Sequence, residues 1–213
     1  MTEPLPPLSR REARRRDRRK AILAVASRSF LENGYAATTM SAIAAALGGS
    51  KGTLWSYFPS KEALFAASLD EATTAYLAHL AEILDPDGDL VETLRRVGLK
   101  LLTKITSPDS VALYRLVVSE SGRFPEMGAI FYEHAPGHTR RLVADFLERA
   151  MDRGLLRRAD PELAARTFTM LMLSGCHQLV IWGQIRQATP DQIAADVDFG
   201  LDCFMRAYAP EAR

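Results

Sequence analysis

The sequence predicts an all-α protein, in which a small head built of three helices precedes a larger helical region, with about nine helices in total. Three observations carry that prediction. The eleven prolines fall in the N-terminal tail, in short connectors, at first helical positions or near the C-terminal end, so the long stretches between them are free to coil. Apolar residues recur at steps of three and four through those stretches. No segment alternates apolar and polar residues between hairpin turns as a half-buried strand would, and no internal repeat is evident.

Composition bounds the class. The chain has 213 residues, 47% hydrophobic and 25% charged, values that suit an ordinary globular protein and exclude disorder throughout. No run approaches the roughly 18 consecutive apolar residues that a membrane span needs, and the N-terminus lacks the apolar centre of a signal peptide. A cytoplasmic location with no membrane partner is therefore expected. Cys176 and Cys203 lie inside apolar helical patterns without metal-type spacing and read as small buried hydrophobes, so neither disulfide, metal nor cofactor is expected.

Taken in order, the first helix is expected from about Arg10 to Asn33, with Ile22, Val25, Ala26 and Phe30 on one face and Gly34 as a left-handed stop. Its first half is polar and basic and projects beyond the core. Thr39 caps a second helix through Ile43, Ala44 and Leu47, which ends at Gly48-Gly49. Ser50 caps a third of about two turns that keeps Leu54 and Phe58 inward, and Pro59-Ser60 ends it and opens a long fourth. That fourth helix carries Phe65, Leu69, Ala72, Tyr76, Leu80 and Ile83 and breaks at 85–88. Asp89 with Glu92 resembles a capping box for a fifth, whose stripe is Leu90, Leu94, Val97, Leu101 and Ile105. A sixth spans about Asp109 to Ser121, and a seventh follows Pro125, is interrupted at Pro136-Gly137 and resumes through Leu142, Phe146 and Ala150. Asp160-Pro161 and Thr189-Pro190 each set a capping residue before a first-position proline, opening helices eight and nine. Helix eight reads Phe168, Leu171, Met172, Gly175, Leu179, Trp182, and helix nine reads Ile193, Val197, Leu201, Phe204.

Charge divides the chain unevenly. Residues 9–61 hold eleven Arg or Lys against three acids, a surplus of eight that leaves the rest of a +1 chain at −7. A polyanion partner for the basic part follows. Within it, two short helices joined by a glycine-containing turn form a helix-turn-helix pattern. With Leu54 and Phe58 locked inward, Lys51, Gly52, Trp55 and Ser56 face outward. A helix entering a major groove offers its N-terminal residues to base edges, and its dipole favours phosphate. Small Ser50, Gly52 and Thr53 permit close approach, Lys51 reaches a guanine edge or a phosphate, and the rings of Trp55 and Tyr57 lie against the sugar-phosphate backbone. Thr39 and Lys61 bracket this helix as phosphate clamps. The run RREARRRDRRK supplies an arm for phosphates or a minor groove.

The stretch GYAATTMSAIAAALGGSKGTLWSYFPSKEALFAA, residues 34–67, resembles the DNA-binding domain of the TetR family of bacterial transcriptional regulators. It has the capped threonine, the short second helix, S-K-G-T-L, the aromatic run and P-S-K-E in order; the family more often carries Tyr at the position of Trp55 and a larger residue at Ser56. The stretch YRLVVSESGRFPEMGAIFYEHAPG, residues 114–137, is similar to the AefR-like group of C-terminal domains. The resemblance implies a basic extension over 1–17, a DNA-binding domain over 18–68 and a ligand-binding and dimerisation domain over 69–208. It also implies a homodimer on a pseudo-palindromic double-stranded operator, and a repressor released by a small hydrophobic or amphipathic effector, with helix four as the lever between domains.

In the second half Tyr76, Tyr114, Phe131, Phe146, Met172 and Trp182 are candidates to line an effector pocket. Phe168, Gly175, Leu179, Val197, Leu201 and Phe204 are candidates for the dimer interface, since helices eight and nine carry more apolar surface than one layer needs. His134 and His138 flank a Pro-Gly that spoils a metal-binding helical turn, and Cys176-His177 point about 100° apart and cannot act as a pair. The alternative class, a small-molecule-binding helical enzyme or carrier, needs a catalytic set; the sequence offers no Gly-rich phosphate loop, triad or metal-spaced cluster. No enzymatic activity is expected.

Overall fold

The computed structural model describes residues 9–48 and 51–210; the side chain of Lys51 and the whole of Ser50 lie outside the described residues, so their predicted roles go without a structural account. Every regular element among the described residues is helical. Helix α1 (Arg10–Ala37) opens with a capping box in which the Ser9 side chain takes the Glu12 amide and Glu12 returns to the Ser9 amide. Gly34, at φ 82° and ψ 167°, breaks α1 near its end, and a fresh turn over 35–37 follows. That is a kink where a stop was expected. Helices α2 (Met40–Ala46) and α4 (Lys61–Ile83) begin at Thr39 and Ser60, each accepting the amide three residues on; α3 (Lys51–Tyr57) stands between them.

The remaining elements are α5 (Leu90–Ile105), α6 (Pro108–Glu120), α7 (Pro125–Tyr132), α8 (His138–Asp152), α9 (Pro161–Met172), α10 (Cys176–Ile181) and α11 (Pro190–Tyr208). Asp160 and Thr189 cap α9 and α11 with proline in the first turn. Between α7 and α8 the chain does not break: residues Glu133–Gly137 form a π turn that carries the helix across Pro136. Proline lacks the N–H that a regular turn requires, and a wider turn absorbs the defect. Gly137 is needed there, because a Cβ would stand 2.7 Å from the Tyr132 carbonyl oxygen.

Helix eight of the sequence reading is two helices, α9 and α10. A single carboxylate occupies the break. Asp196 of α11 accepts the Cys176 amide at 2.6 Å, and a Cβ on Gly175, where the chain turns aside, would fall 2.2 Å from its Oδ1. The break swings the segment after it away from the helical register that placed Trp182 beside Phe168.

Two apolar clusters hold the molecule. One joins α4, α5 and α8 to α11 around Leu94, Val97, Leu147, Phe168, Met172 and Phe204. The other unites Phe30, Tyr35, Ile43, Leu54, Phe58 and Phe65 of α1–α4 with Leu116 and Val117 of α6 and Met127 of α7. The head therefore completes its core with side chains from the following region.

Candidate nucleic-acid interface

Helix α3 is seated by two residues and displays the rest. Leu54 and Phe58 are buried against α1 and α2, while Gly52, Trp55 and Ser56 are exposed and Thr53 and Tyr57 are half-buried. At 42% exposure Trp55 presents an indole face to solvent from a helix that already buries its two apolar anchors. The Ser56 hydroxyl donates to the Thr53 carbonyl at 2.7 Å. Thr39 is exposed at the start of α2, its Oγ1 taken by the Ala42 amide.

The basic arm is a helix. Residues 10–21 of α1 run ahead of its first buried side chain, Ile22, for about 18 Å at the helical rise. The guanidinium carbon of Arg15 stands 5.8 Å from the Tyr57 ring centre and that of Arg19 5.5 Å from the Phe58 ring centre. Between this stretch and α3 lies an open groove of about 530 Å³ lined by Arg11, Glu12, Arg14, Arg15, Ser56 and Tyr57. Three guanidinium groups against one carboxylate make it a positive wall beside the outward face of α3.

Lys61 requires a correction. Its Nζ donates to the Tyr35 carbonyl at 2.5 Å and sits 4.0 Å from the Tyr35 ring centre, so it is turned inward and is no free phosphate clamp. Burial pushes its pKa down, partly opposed by the carboxylates of Glu62, Glu120 and Glu126. Burial likewise raises that of Tyr35, assisted by the charges of Glu62 and Glu126.

The second-half candidates divide. Tyr76, Phe146 and Met172 belong to the larger core; Phe131 packs against the head's cluster instead. Tyr114 lies edge-on to His177, with ring centres 5.8 Å apart, and is exposed. Trp182, 65% exposed beyond the break at Gly175, encloses nothing and leaves the pocket set. The Tyr76 hydroxyl is buried without a hydrogen-bond partner; desolvation pushes its pKa up to about 12, and the nearby Thr139 hydroxyl offsets this only in part, short of bonding geometry.

The dimer candidates also need correcting. Phe168, Val197 and Phe204 are wholly buried, Leu201 nearly so, and Phe168 and Phe204 pack edge-on at 5.4 Å, so all four close the core of one chain. Gly175 is filled by Asp196. Leu179 alone of that set is exposed, and it shares this exposure with Leu163, Met170, Trp182 and Phe199. His134, for its part, is bound through Nδ1 to Asp70 Oδ1 at 2.6 Å.

Family comparison decides the lineage. Residues 92–210 match the AefR-like transcriptional repressor C-terminal domain, and residues 22–68 match the bacterial regulatory proteins of the tetR family. The chain belongs to the TetR family. This TetR-family protein is 28% identical over 165 residues to the HTH-type transcriptional regulator YhgD of Bacillus subtilis (strain 168), covering 74% of this chain and 80% of YhgD. Among solved structures it resembles the flavonoid-responsive regulator FrrA, with a TM-score of 0.76 and 36% identity over 91% of this chain and 98% of FrrA. It also resembles SmeT, the repressor of the Stenotrophomonas maltophilia multidrug efflux pump SmeDEF, with a TM-score of 0.64 and 25% identity over 91% of each chain. It is a helix-turn-helix transcriptional regulator, of a family whose members act by binding DNA. None of its described helices is long and apolar enough to cross a membrane.

Sequence reasoning missed two residues of α6 that tie this architecture together. Glu120 accepts the Tyr35 and Ala36 amides at 2.9 and 2.8 Å, and the Arg115 Nη2 donates to the Val180 carbonyl at 2.7 Å. Both lie within the stretch 114–137, but nothing in its pattern assigns either of them a partner. Only the acid at the last position of a helix, where the dipole disfavours it, gave a signal.

Proposed function

We propose that this TetR-family regulator acts in the cytoplasm as a homodimeric repressor, released from a pseudo-palindromic operator by a hydroxylated aromatic effector. The observation that carries the DNA-binding part is the outward face of α3, with Gly52, Trp55 and Ser56 exposed over the buried pair Leu54 and Phe58. Lys51 and Thr53 at its start address base edges or phosphates, with Ser50 and Gly52 permitting close approach. Trp55 and Tyr57 lie along the backbone, and Thr39 contacts a phosphate from the start of α2. The helical arm adds Arg11, Arg14 and Arg15, whose groove beside Tyr57 suits a phosphate strand flanking the half-site. Selection of bound fragments from random duplex DNA tests this directly. A recovered site with two-fold symmetry is expected; failure to retain any duplex at low salt overturns the reading.

Dimerisation is assigned to the outer surface of α9–α11, where Met170, Leu179, Trp182 and Phe199 stand exposed. Apolar side chains of that size exposed on successive helices suit a self-complementary interface. The effector class draws on FrrA, which is flavonoid-responsive and 36% identical. Tyr76 supports it from within this chain: its buried, unpartnered hydroxyl costs free energy until an acceptor or donor meets it, which a phenolic ligand supplies. A thermal-shift series of flavones with and without hydroxyl groups tests the class. The hydroxylated members are expected to raise the melting temperature, less so in Tyr76→Phe; no shift with any of them removes the class.

A further inference from the structure

Tyr35, the residue that follows Gly34, is held by its backbone from both sides. Its N–H donates to Glu120 Oε1 at 2.9 Å, and the next, on Ala36, donates to Oε2 at 2.8 Å. Its carbonyl accepts from Lys61 Nζ at 2.5 Å. These two amides are free only because Gly34 ends the regular part of α1 and starts a fresh turn, whose first N–H groups have no carbonyl behind them. Gly34 is reserved for the purpose: at φ 82° a side chain is strained, and a Cβ would lie 2.6 Å from Glu120 Oε1.

Glu120 is the last residue of α6, where its charge opposes the helix dipole. An acid there is stable because two N–H groups of a different element compensate it. Five residues earlier on the same helix, Arg115 donates through Nη2 and Nε to the carbonyls of Val180 and Ile181, at the end of α10 and beside the exposed Leu179 and Trp182. One thirteen-residue helix thus bonds the head at one end and the apolar outer layer near its middle.

We infer that Glu120 is a positioning residue for operator binding: by holding the amides of Tyr35 and Ala36 it fixes the orientation of each head on α6, and so fixes the spacing between the two α3 helices of a dimer. This rests on the dimeric reading above. Two heads bind one duplex together only when their separation matches the half-sites.

The test compares the selected operator with copies carrying one or two extra base pairs at the centre, on full-length wild type, Glu120→Gln and Glu120→Ala. Wild type loses affinity sharply on insertion. In the variants that penalty shrinks by about 5- to 150-fold, the range of a coupling between sites, because the released heads reach either spacing. Amide exchange at Tyr35 and Ala36 accelerates in the variants while that of α5 and α9 is unchanged, and Glu120→Asp restores part of the discrimination. A purely structural role would weaken binding to all spacings alike and leave the ratio where it was; an unchanged ratio in Glu120→Gln overturns the inference. If Glu120→Ala does not fold, Glu120→Gln, nearly equal in volume, decides alone. A wild type indifferent to spacing overturns instead the dimeric reading.

Discussion

The head and the α9–α11 layer dispose of their large apolar side chains in opposite ways. In the head Phe30, Tyr35, Leu54, Phe58 and Phe65 all turn inward, and the outer rim is arginine, small residues and one indole. In the α9–α11 layer an inner set, Phe168, Val197 and Phe204, fills the core while an outer set, Met170, Trp182 and Phe199, remains in solvent. A surface awaiting a polyanion has charge and little oil. A surface awaiting another apolar surface is the reverse. The contrast separates a charged surface from an apolar one within one chain, and α6 is hydrogen-bonded to both regions.

The strongest way to break this contrast is to charge the outer set. Phe199→Asp is expected to give monomers in sedimentation and to cost operator affinity about 10²- to 10⁴-fold, since paired binding is lost; a dimer that persists removes α11 from the interface. Next comes the head's interior, where Leu54→Ala is expected to lower stability by about 2–5 kcal/mol in denaturant titration and with it the seating of α3. Smaller is the effect of the rim: Arg14→Gln with Arg15→Gln is expected to reduce the slope of log affinity against log salt by about 0.9 for each phosphate no longer neutralised, with operator preference retained. Lys61→Ala is expected to leave that slope unchanged, because its ammonium is held by Tyr35; a reduced slope would return it to the phosphate set.

The smallest expected effect is pH-dependent. His177 is buried and desolvation lowers its pKa below the ordinary 6.5. Unfolded chain then binds a proton that the folded chain refuses, so stability is undiminished above pH 6.5 and falls as pH drops from there toward the folded value. Replacing His177 by Gln is expected to flatten that part of the stability curve. An identical curve in the variant would place the acid sensitivity elsewhere.

Much of this was legible from residue patterns. The caps at Thr39, Ser60, Asp160 and Thr189 are local hydrogen bonds written in adjacent residues, and they set helix starts where the sequence places them. Leu54 and Phe58 were legible as the anchors of α3 because four residues span one turn. What escaped depends on partners distant in sequence. The break at Gly175 is filled by Asp196, Lys61 is held inward by Tyr35, and Tyr35 is clamped by Glu120, 85 residues away. Periodicity also could not tell which of two apolar stripes on α9 and α11 lies inside. Phe204 and Phe199 differ in burial though both suit an apolar face.

Where α5, α9 and α11 cross, glycines let neighbouring side chains lie directly against the backbone. A methyl on Gly98 would stand 2.9 Å from Val197 Cγ1, and one on Gly200 would stand 2.7 Å from Met172 Cε. The space that these glycines leave is filled by side chains of the neighbouring helices. An effector bound beside Tyr76, as proposed, would find no room at this crossing and would have to take its volume from the rest of the core around α4, α5 and α8.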